Sequence, residues 1–265
     1  MKRRNGRSRG GSLVVVGTGI SLVSQMTGEA IAAVRSADEV LYVVPNRATE
    51  LWLQQLNPNT ASLSDTYGLK RTRRSSYKEM TDRICARVRA GARVCVVFYG
   101  HPGVLAQATH AAVARVRREG FDASMQPGVS AEACLFADLG VNPGDRGCQS
   151  FEATDFLAFQ RRFDPTSNLI LWQIGVVGEW SARGGLPARP ERIRVLVDEL
   201  CKHYPRRHRV VLYVASTLPV MKPFVKRLTL DRLAREVVVV PMTLFVPPLP
   251  NRQPRAIVRR WLGES

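Results

Sequence analysis

Val94-Cys95-Val96-Val97-Phe98-Tyr99-Gly100-His101-Pro102-Gly103 decides the fold. Its first six residues are apolar without interruption, as in a strand of a parallel sheet covered on both faces. Two glycines and a proline then end it in a tight turn. Upstream, Met80, Ile84 and Val88 recur at helical spacing, with Ser76-x-x-Glu79 offering a capping box and Gly91 a stop. Downstream, Ala106 to Glu119 reads as another helix, so the unit is helix, strand, turn, helix.

The same alternation runs outward. Leu13 to Val16 is a β-branched run closed by Gly17-Thr18-Gly19, followed by a helix that Thr27 can cap and that continues through Ile31 and Val34. Val40 to Val44 is a second strand ending at Pro45. A short strand precedes Pro127-Gly128, and Ser130 caps a helix running through Leu135 to Leu139. Repeated β then α predicts a mostly parallel sheet wrapped by helices. Gly140 to Gly147 is poor in apolar residues and marks a junction. Beyond it, strands are expected at Leu169 to Ile174, Val210 to Ala215 and Val237 to Phe245, with helices at Glu191 to Tyr204 and Asp231 to Arg235. Pro241 suggests an edge, a bulge or a ligand-facing break, and Pro247-Pro248-Leu249-Pro250 must be extended. The expected organisation is a basic tail at 1–11, an N-terminal α/β domain at 12–147, a mixed-sheet C-terminal α/β domain at 148–250 and a basic tail at 251–265.

Composition excludes several classes. With 265 residues, 45% hydrophobic and 23% charged, the chain can bury a sizeable core and is neither globally disordered nor collagen-like. Cys85, Cys95, Cys134, Cys148 and Cys201 are odd in number and form no CxxC, which argues against a disulfide framework and a zinc site and fits a reducing cytoplasm. No apolar run approaches the ~20 residues of a membrane span. The net charge of +17 implies a surface attractive to acidic partners, which could be RNA, DNA, lipid headgroups or an acidic peptide.

Ligands of open parallel sheets bind where strands end. Three turns qualify. Gly17-Thr18-Gly19 is a lone GxG without a third glycine, and no acidic residue ends strand two, so a cofactor loop and a plain tight turn both remain. Tyr99-Gly100-His101-Pro102-Gly103 permits close backbone approach, with His101 as base or as hydrogen-bonding spacer. Pro127-Gly128-Val129-Ser130-Ala131 precedes a helix N-terminus that could face a carboxylate. A fourth element is Tyr67-x5-Arg73-x3-Tyr77, set in the basic run Lys70-Arg71-Thr72-Arg73-Arg74, of which Lys70, Arg71 and Arg74 read as solvated.

Taken in order, Val16-Gly17-Thr18-Gly19-Ile20, Tyr99-Gly100-His101-Pro102-Gly103-Val104, Pro127-Gly128-Val129-Ser130-Ala131-Glu132 and Cys134 to Leu139 resemble the tetrapyrrole methylase superfamily. Within it they are similar to the borosin peptide backbone α-N-methyltransferases. The likeness continues through Tyr67, Arg73, Tyr77, Leu171 to Gly175, Tyr213-Val214-Ala215, Thr243 and Pro247-Pro248, roughly residues 12 to 249. It implies a two-domain α/β fold, a homodimer and S-adenosylmethionine held in a cleft between the domains. Gly17, Tyr99, His101, Val104, Ser130, Ala131, Gln173, Tyr213, Ala215 and Thr243 would then line the cofactor pocket. Tyr67, Arg73 and Tyr77 would face the acceptor amide, with Tyr99 orienting the methyl donor.

Fused borosins carry their substrate as a C-terminal extension, whereas this sequence stops at Ser265. The resemblance therefore implies a split enzyme acting on a separate precursor peptide with an acidic leader and an apolar core. His101 stands where porphyrin methylases usually have an acidic residue, which weakens a tetrapyrrole acceptor. A tetrapyrrole or an rRNA ribose is the alternative acceptor, and a non-catalytic basic binding protein the alternative class. A nucleic-acid partner is disfavoured because no RNA-binding module or aromatic stacking platform is recognisable.

An amide nitrogen is a poor nucleophile, so imidate character must be stabilised. Arg73 is expected to stabilise charge on the amide oxygen, and Tyr67 or Tyr77 to accept the N–H proton as a phenolate favoured by the nearby arginine.

Overall fold

The computed structural model describes residues 10–68, 71–179, 186–250 and 256–261. The 1–9 part of the basic tail, Lys70 and most of the C-terminal tail lie outside the described residues. Contacts divide the chain into two units, the first built on the segment up to Leu139 plus Ala215–Pro223, the second beginning at Gly140.

The first unit contains β1 (Ser12–Gly17), α1 (Gly28–Ser36), β2 (Glu39–Val43), α2 (Arg47–Leu56), β3 (Thr60–Ser62), α3 (Arg73–Arg89), β4 (Arg93–Phe98), α4 (Gln107–Arg118), β5 (Asp122–Met125) and α5 (Ala131–Leu139). Its strands form one parallel sheet in the order β3-β2-β4-β1-β5. β4 lies at the centre, which explains its unbroken apolar sequence. Val94, Val96 and Phe98 enter a cluster with Met80 and Ile84 of α3 and Ala112 of α4, while Cys95 and Val97 enter a second cluster with Val34 of α1 and Leu53 of α2. Thr27 caps α1 by accepting from Ala30 N, as its sequence position suggests.

The second unit contains α6 (Pro143–Arg146), β6 (Cys148–Glu152), α7 (Ala153–Ala158), β7 (Asn168–Trp172), α8 (Pro190–Leu200), β8 (Arg209–Val214), β9 (Phe224–Thr229), β10 (Thr243–Val246) and α9 (Ala256–Trp261). Its sheet, ordered β6-β7-β10-β8-β9, is mixed: β6 and β7 are parallel, whereas β10 is antiparallel to both neighbours and β9 to β8. Leu196 and Leu200 of α8 pack against Leu171, Leu212 and Leu244 of the sheet.

Three expectations are corrected. α3 starts at Arg73 with Thr72 as its cap, accepting from Ser75 N, so Ser76 is not an N-cap but a buried residue of the first turn. Val237 to Val240 is not strand: Val238 O accepts from Ala188 N and Met242 N closes a turn onto Val239 O, leaving Thr243–Val246 as the strand. α8 ends at Leu200, and the chain reaches Tyr204 through turns. Among the described residues no helix is long and apolar enough to cross a membrane.

Candidate active site

The loops after β1, β4 and β5 meet at the carboxyl edge of the first sheet. Gly19 and Gly100 form an isolated antiparallel bridge, Gly100 N donating to Gly19 O at 2.9 Å. Both have positive φ, +67° and +73°, the region that glycine enters without steric penalty. A Cβ on Gly17 would lie 2.0 Å from Gly100 O, and one on Gly128 would lie 3.1 Å from the same oxygen. The three turns thus present bare backbone to one another.

The side chains around them are pinned. Gly103 N donates to His101 Nδ1 at 2.9 Å, so in the neutral ring Nε2 carries the proton. Val104, 45% exposed, projects from that turn. Ser130 Oγ accepts from Ala133 N and caps α5, which starts at Ala131. Tyr99 is half-buried, and burial, helped by Cys134, pushes its phenol up to about 12, which keeps it a neutral hydrogen-bond donor. Ala215 belongs to the segment Ala215–Pro223, which Leu22 N ties to the β1 loop by donating to Thr217 O.

Tyr67 follows the carboxyl end of β3, and Arg73 opens α3, whose N-terminus lies at the same sheet edge. The Tyr67 and Tyr77 rings meet edge to face with centroids 6.5 Å apart. Their spacing is set by a buried clasp in which Ser76 Oγ donates to Thr66 O at 2.8 Å. Arg83 bonds both Asp65 and Glu79, and Arg71 also bonds Glu79, fastening the Tyr67 loop to α3. Arg71 is therefore not the purely solvated residue expected; its partner lies eight positions away, on the far side of the α3 cap.

The electrostatics also differ from expectation. Arg73 pulls the Tyr67 phenol down, but desolvation, and then the proximity of Tyr77, outweigh it and push Tyr67 up to about 12. Tyr67 is a neutral phenol at rest, and its phenolate, when formed, is a strong base.

In the second unit, Tyr213 of β8 and Thr243 of β10 are buried and directly opposed in the antiparallel ladder. Gln173 follows β7 with a left-handed φ of 58°. Three residues distant in sequence thus gather at one edge of that sheet.

Two residues were missed. Gln25 Oε1 accepts from both Ile20 N and Ser21 N, holding the β1 loop closed. Gln126 Oε1, just past the end of β5, is buried without a hydrogen-bond partner among the described residues. Nothing in the local sequence marks Gln25, because its partners are backbone groups of a loop. Gln126 was detectable only as a polar residue immediately before the Pro127-Gly128 turn.

A parallel sheet whose glycine turns converge at one edge, joined in the same chain to a mixed sheet, defines an α/β protein with a ligand-accepting strand edge. Residues 12–234 match the family described as Tetrapyrrole (Corrin/Porphyrin) Methylases, and the chain belongs to that family. A methyltransferase/ribosomally synthesized type I borosin cyclic peptide precursor from Coprinopsis marcescibilis is 39% identical over 226 residues, covering 85% of this chain and 58% of that protein. The gymnopeptides precursor of Gymnopus fusipes, likewise named as a methyltransferase, is 36% identical over 97% of this chain and 62% of its own length. The omphalotin A precursor of Omphalotus olearius, also so named, is 37% identical over 91% and 59%. The chain thus spans about three-fifths of the length of these relatives. The crystal structure of uroporphyrin-III-C-methyltransferase from Thermus thermophilus shares the fold, with a TM-score of 0.65 at 20% identity over 92% of this chain and 99% of that one.

Proposed function

We propose that the protein is an S-adenosylmethionine-dependent methyltransferase that methylates backbone amide nitrogens of a peptide. The observation that carries this reading is the grouping of Tyr67, Arg73 and Tyr77 at one sheet edge, where a permanent cation sits beside two phenols. The names of the relatives support a peptide acceptor. A methylated side-chain amine or hydroxyl would need no cation to stabilise imidate charge.

The residues present fit the cofactor. Gly17, Gly100 and Gly128 let the three turns close on one another with their backbone exposed at the edge, and Gln126 Oε1 is a buried acceptor without a partner among the described residues, of the kind an ammonium or amino group would satisfy. The proposed contacts in the first unit are Gly17, Tyr99, His101, Val104, Ser130, Ala131 and Ala215. When bound, S-adenosylmethionine supplies an electrophilic methyl group on a sulfonium sulfur.

The chain's own residues then do the rest. Arg73 holds the amide oxygen and stabilises its developing negative charge. The N–H proton passes to a tyrosine oxygen, which we assign to Tyr67. Tyr99 donates a hydrogen bond that orients the bound donor. With its phenol near 12, only about one Tyr67 in ten thousand is ionised at about pH 8. The base form therefore grows as pH rises. In single-turnover assays the rate is expected to climb about tenfold per pH unit from about pH 7 to 10, and Tyr67→Phe to abolish the slope. A flat profile would assign the proton to another group.

The acceptor is proposed to be a precursor peptide with an acidic leader, which the net charge of +17 would steer to the protein, and the enzyme a homodimer, as the sequence resemblance implies. Intact mass spectrometry of the protein incubated with S-adenosylmethionine and an acidic-leader peptide tests this. Gain of whole methylene increments on the peptide is the expected result. Cofactor binding without peptide modification would move the acceptor to a tetrapyrrole or RNA.

A further inference from the structure

Leu105 combines two unfavourable features. Its φ is +54°, a region that bulky residues rarely enter, and its side chain is 43% exposed. The conformation is nevertheless held from both sides. Gly103 N donates to His101 Nδ1 and Gly103 O is bonded by His110 Nε2 at 2.8 Å. The buried Thr109 hydroxyl lies 2.6 Å from Pro102 O and 2.7 Å from Ala106 O and shares its one proton between them. Strain that its surroundings over-determine is typical of functional positions.

The location gives the strain a purpose. Thr81 Oγ1 lies 2.8 Å from Tyr77 O and 3.3 Å from Ala108 O, stitching the Tyr77 turn of α3 to the first turn of α4. Leu105 stands three residues before Ala108, and its neighbour Ala106 packs on the same core cluster as Tyr77. Val23 shares the pattern, with φ +64° and 45% exposure, but its loop is tied to Thr217 rather than to α3.

We infer that Leu105 is a specificity-determining residue whose side chain packs against an aliphatic side chain of the acceptor, next to the amide presented to Tyr67 and Tyr77. The inference rests on the peptide reading above and deepens it by naming a residue of this chain that selects among peptide acceptors. The strained turn holds the leucine out for contact instead of letting it fold onto its own loop.

Two synthetic peptides test it, each with an acidic N-terminal half, one with a valine-rich C-terminal half and one with those valines replaced by serine. Wild type is expected to prefer the valine peptide by about tenfold or more in kcat/KM. Leu105→Asn keeps a residue that tolerates positive φ but removes the apolar contact. It is expected to bring the preference to within about twofold of unity, with cofactor affinity by calorimetry unchanged within about twofold. Leu105→Gly should lose the preference equally while its melting midpoint does not fall, because glycine relieves the strain. Preference retained in both variants would overturn the inference while leaving peptide methylation standing. Failure of wild type to methylate either peptide would overturn the peptide reading and this inference with it.

Discussion

Arg73→Ala is expected to lower the single-turnover rate of amide methylation by about a thousandfold, while the cofactor dissociation constant changes by no more than about twofold. The argument is one of differential binding. In the ground state the amide oxygen carries partial charge only; as the nitrogen acquires the methyl group and loses its proton, charge builds on that oxygen. A cation placed there acts mainly on the transition state, so its removal shows in the rate and not in cofactor affinity. Removing one preorganised donor of this kind costs about 3–4 kcal/mol. Arg73→Lys keeps the charge but loses the planar fork and should recover part of the activity. The same substitution has a second readout. Because Arg73 pulls the Tyr67 phenol down against desolvation, its removal should shift that phenol further up and displace any residual pH profile towards alkali. Rate from quenched mass spectrometry and affinity from calorimetry separate the two effects. Loss of cofactor binding in Arg73→Ala would remove Arg73 from the acceptor side.

How far the sequence could be read depended on where each residue's partners lie. The central strand was legible because β4 is buried on both faces, which forces apolar residues at every position from Val94 to Phe98. The three turns were legible because glycine and proline have few other uses in such places. α2 was not: of its apolar residues only Leu53 is fully buried, Trp52 and Leu56 pack half-buried beside it and Leu51 is exposed, which blurs the helical period. β6 and β9 lie at the edges of their sheet, where half-buried residues blur the alternation. Ser76-x-x-Glu79 had the pattern of a cap, but the hydroxyl of Ser76 finds Thr66 O and the carboxylate of Glu79 finds Arg83 and Arg71. Those partners belong to other turns and other loops. Val237 to Val240 had the composition of a strand, yet the backbone of Val239 and Val240 packs on Gly175, where a Cβ would come within 2.4 Å of Val239 C.

The candidate site divides in the same way. That Tyr67, Arg73 and Tyr77 share a place followed from their spacing and the resemblance. The direction in which Tyr67 titrates did not, since it is decided by desolvation, a property of the folded surroundings that outweighs the arginine seen in the sequence. A phenol held near 12 changes the expected chemistry from a standing phenolate to a rarely ionised but strong base.

The convergence of the three turns carries the last expectation. Gly17→Ala would place a methyl carbon 2.0 Å from Gly100 O and 2.9 Å from Pro102 Cδ. Normal carbon–oxygen contact is more than 1 Å longer, so the β1 and β4 loops must separate, and the Gly19–Gly100 bridge between them must open or shift. Overpacking of this kind costs about 2–3 kcal/mol, equivalent to a melting midpoint lower by roughly 5–10 °C. Cofactor affinity should fall further than stability, because the displaced backbone is the proposed binding surface itself; a loss of about a hundredfold by calorimetry is expected. Gly28→Ala is the control. Gly28 opens α1, no atom lies within 4 Å of its missing Cβ, and alanine there should leave binding unchanged and raise stability by about 0.5 kcal/mol. If Gly17→Ala melted lower yet bound the cofactor as well as the Gly28→Ala control, the turns would be structural and the ligand would sit elsewhere. Binding lost in Gly17→Ala alone ties the cofactor to the edge where β1, β4 and β5 end.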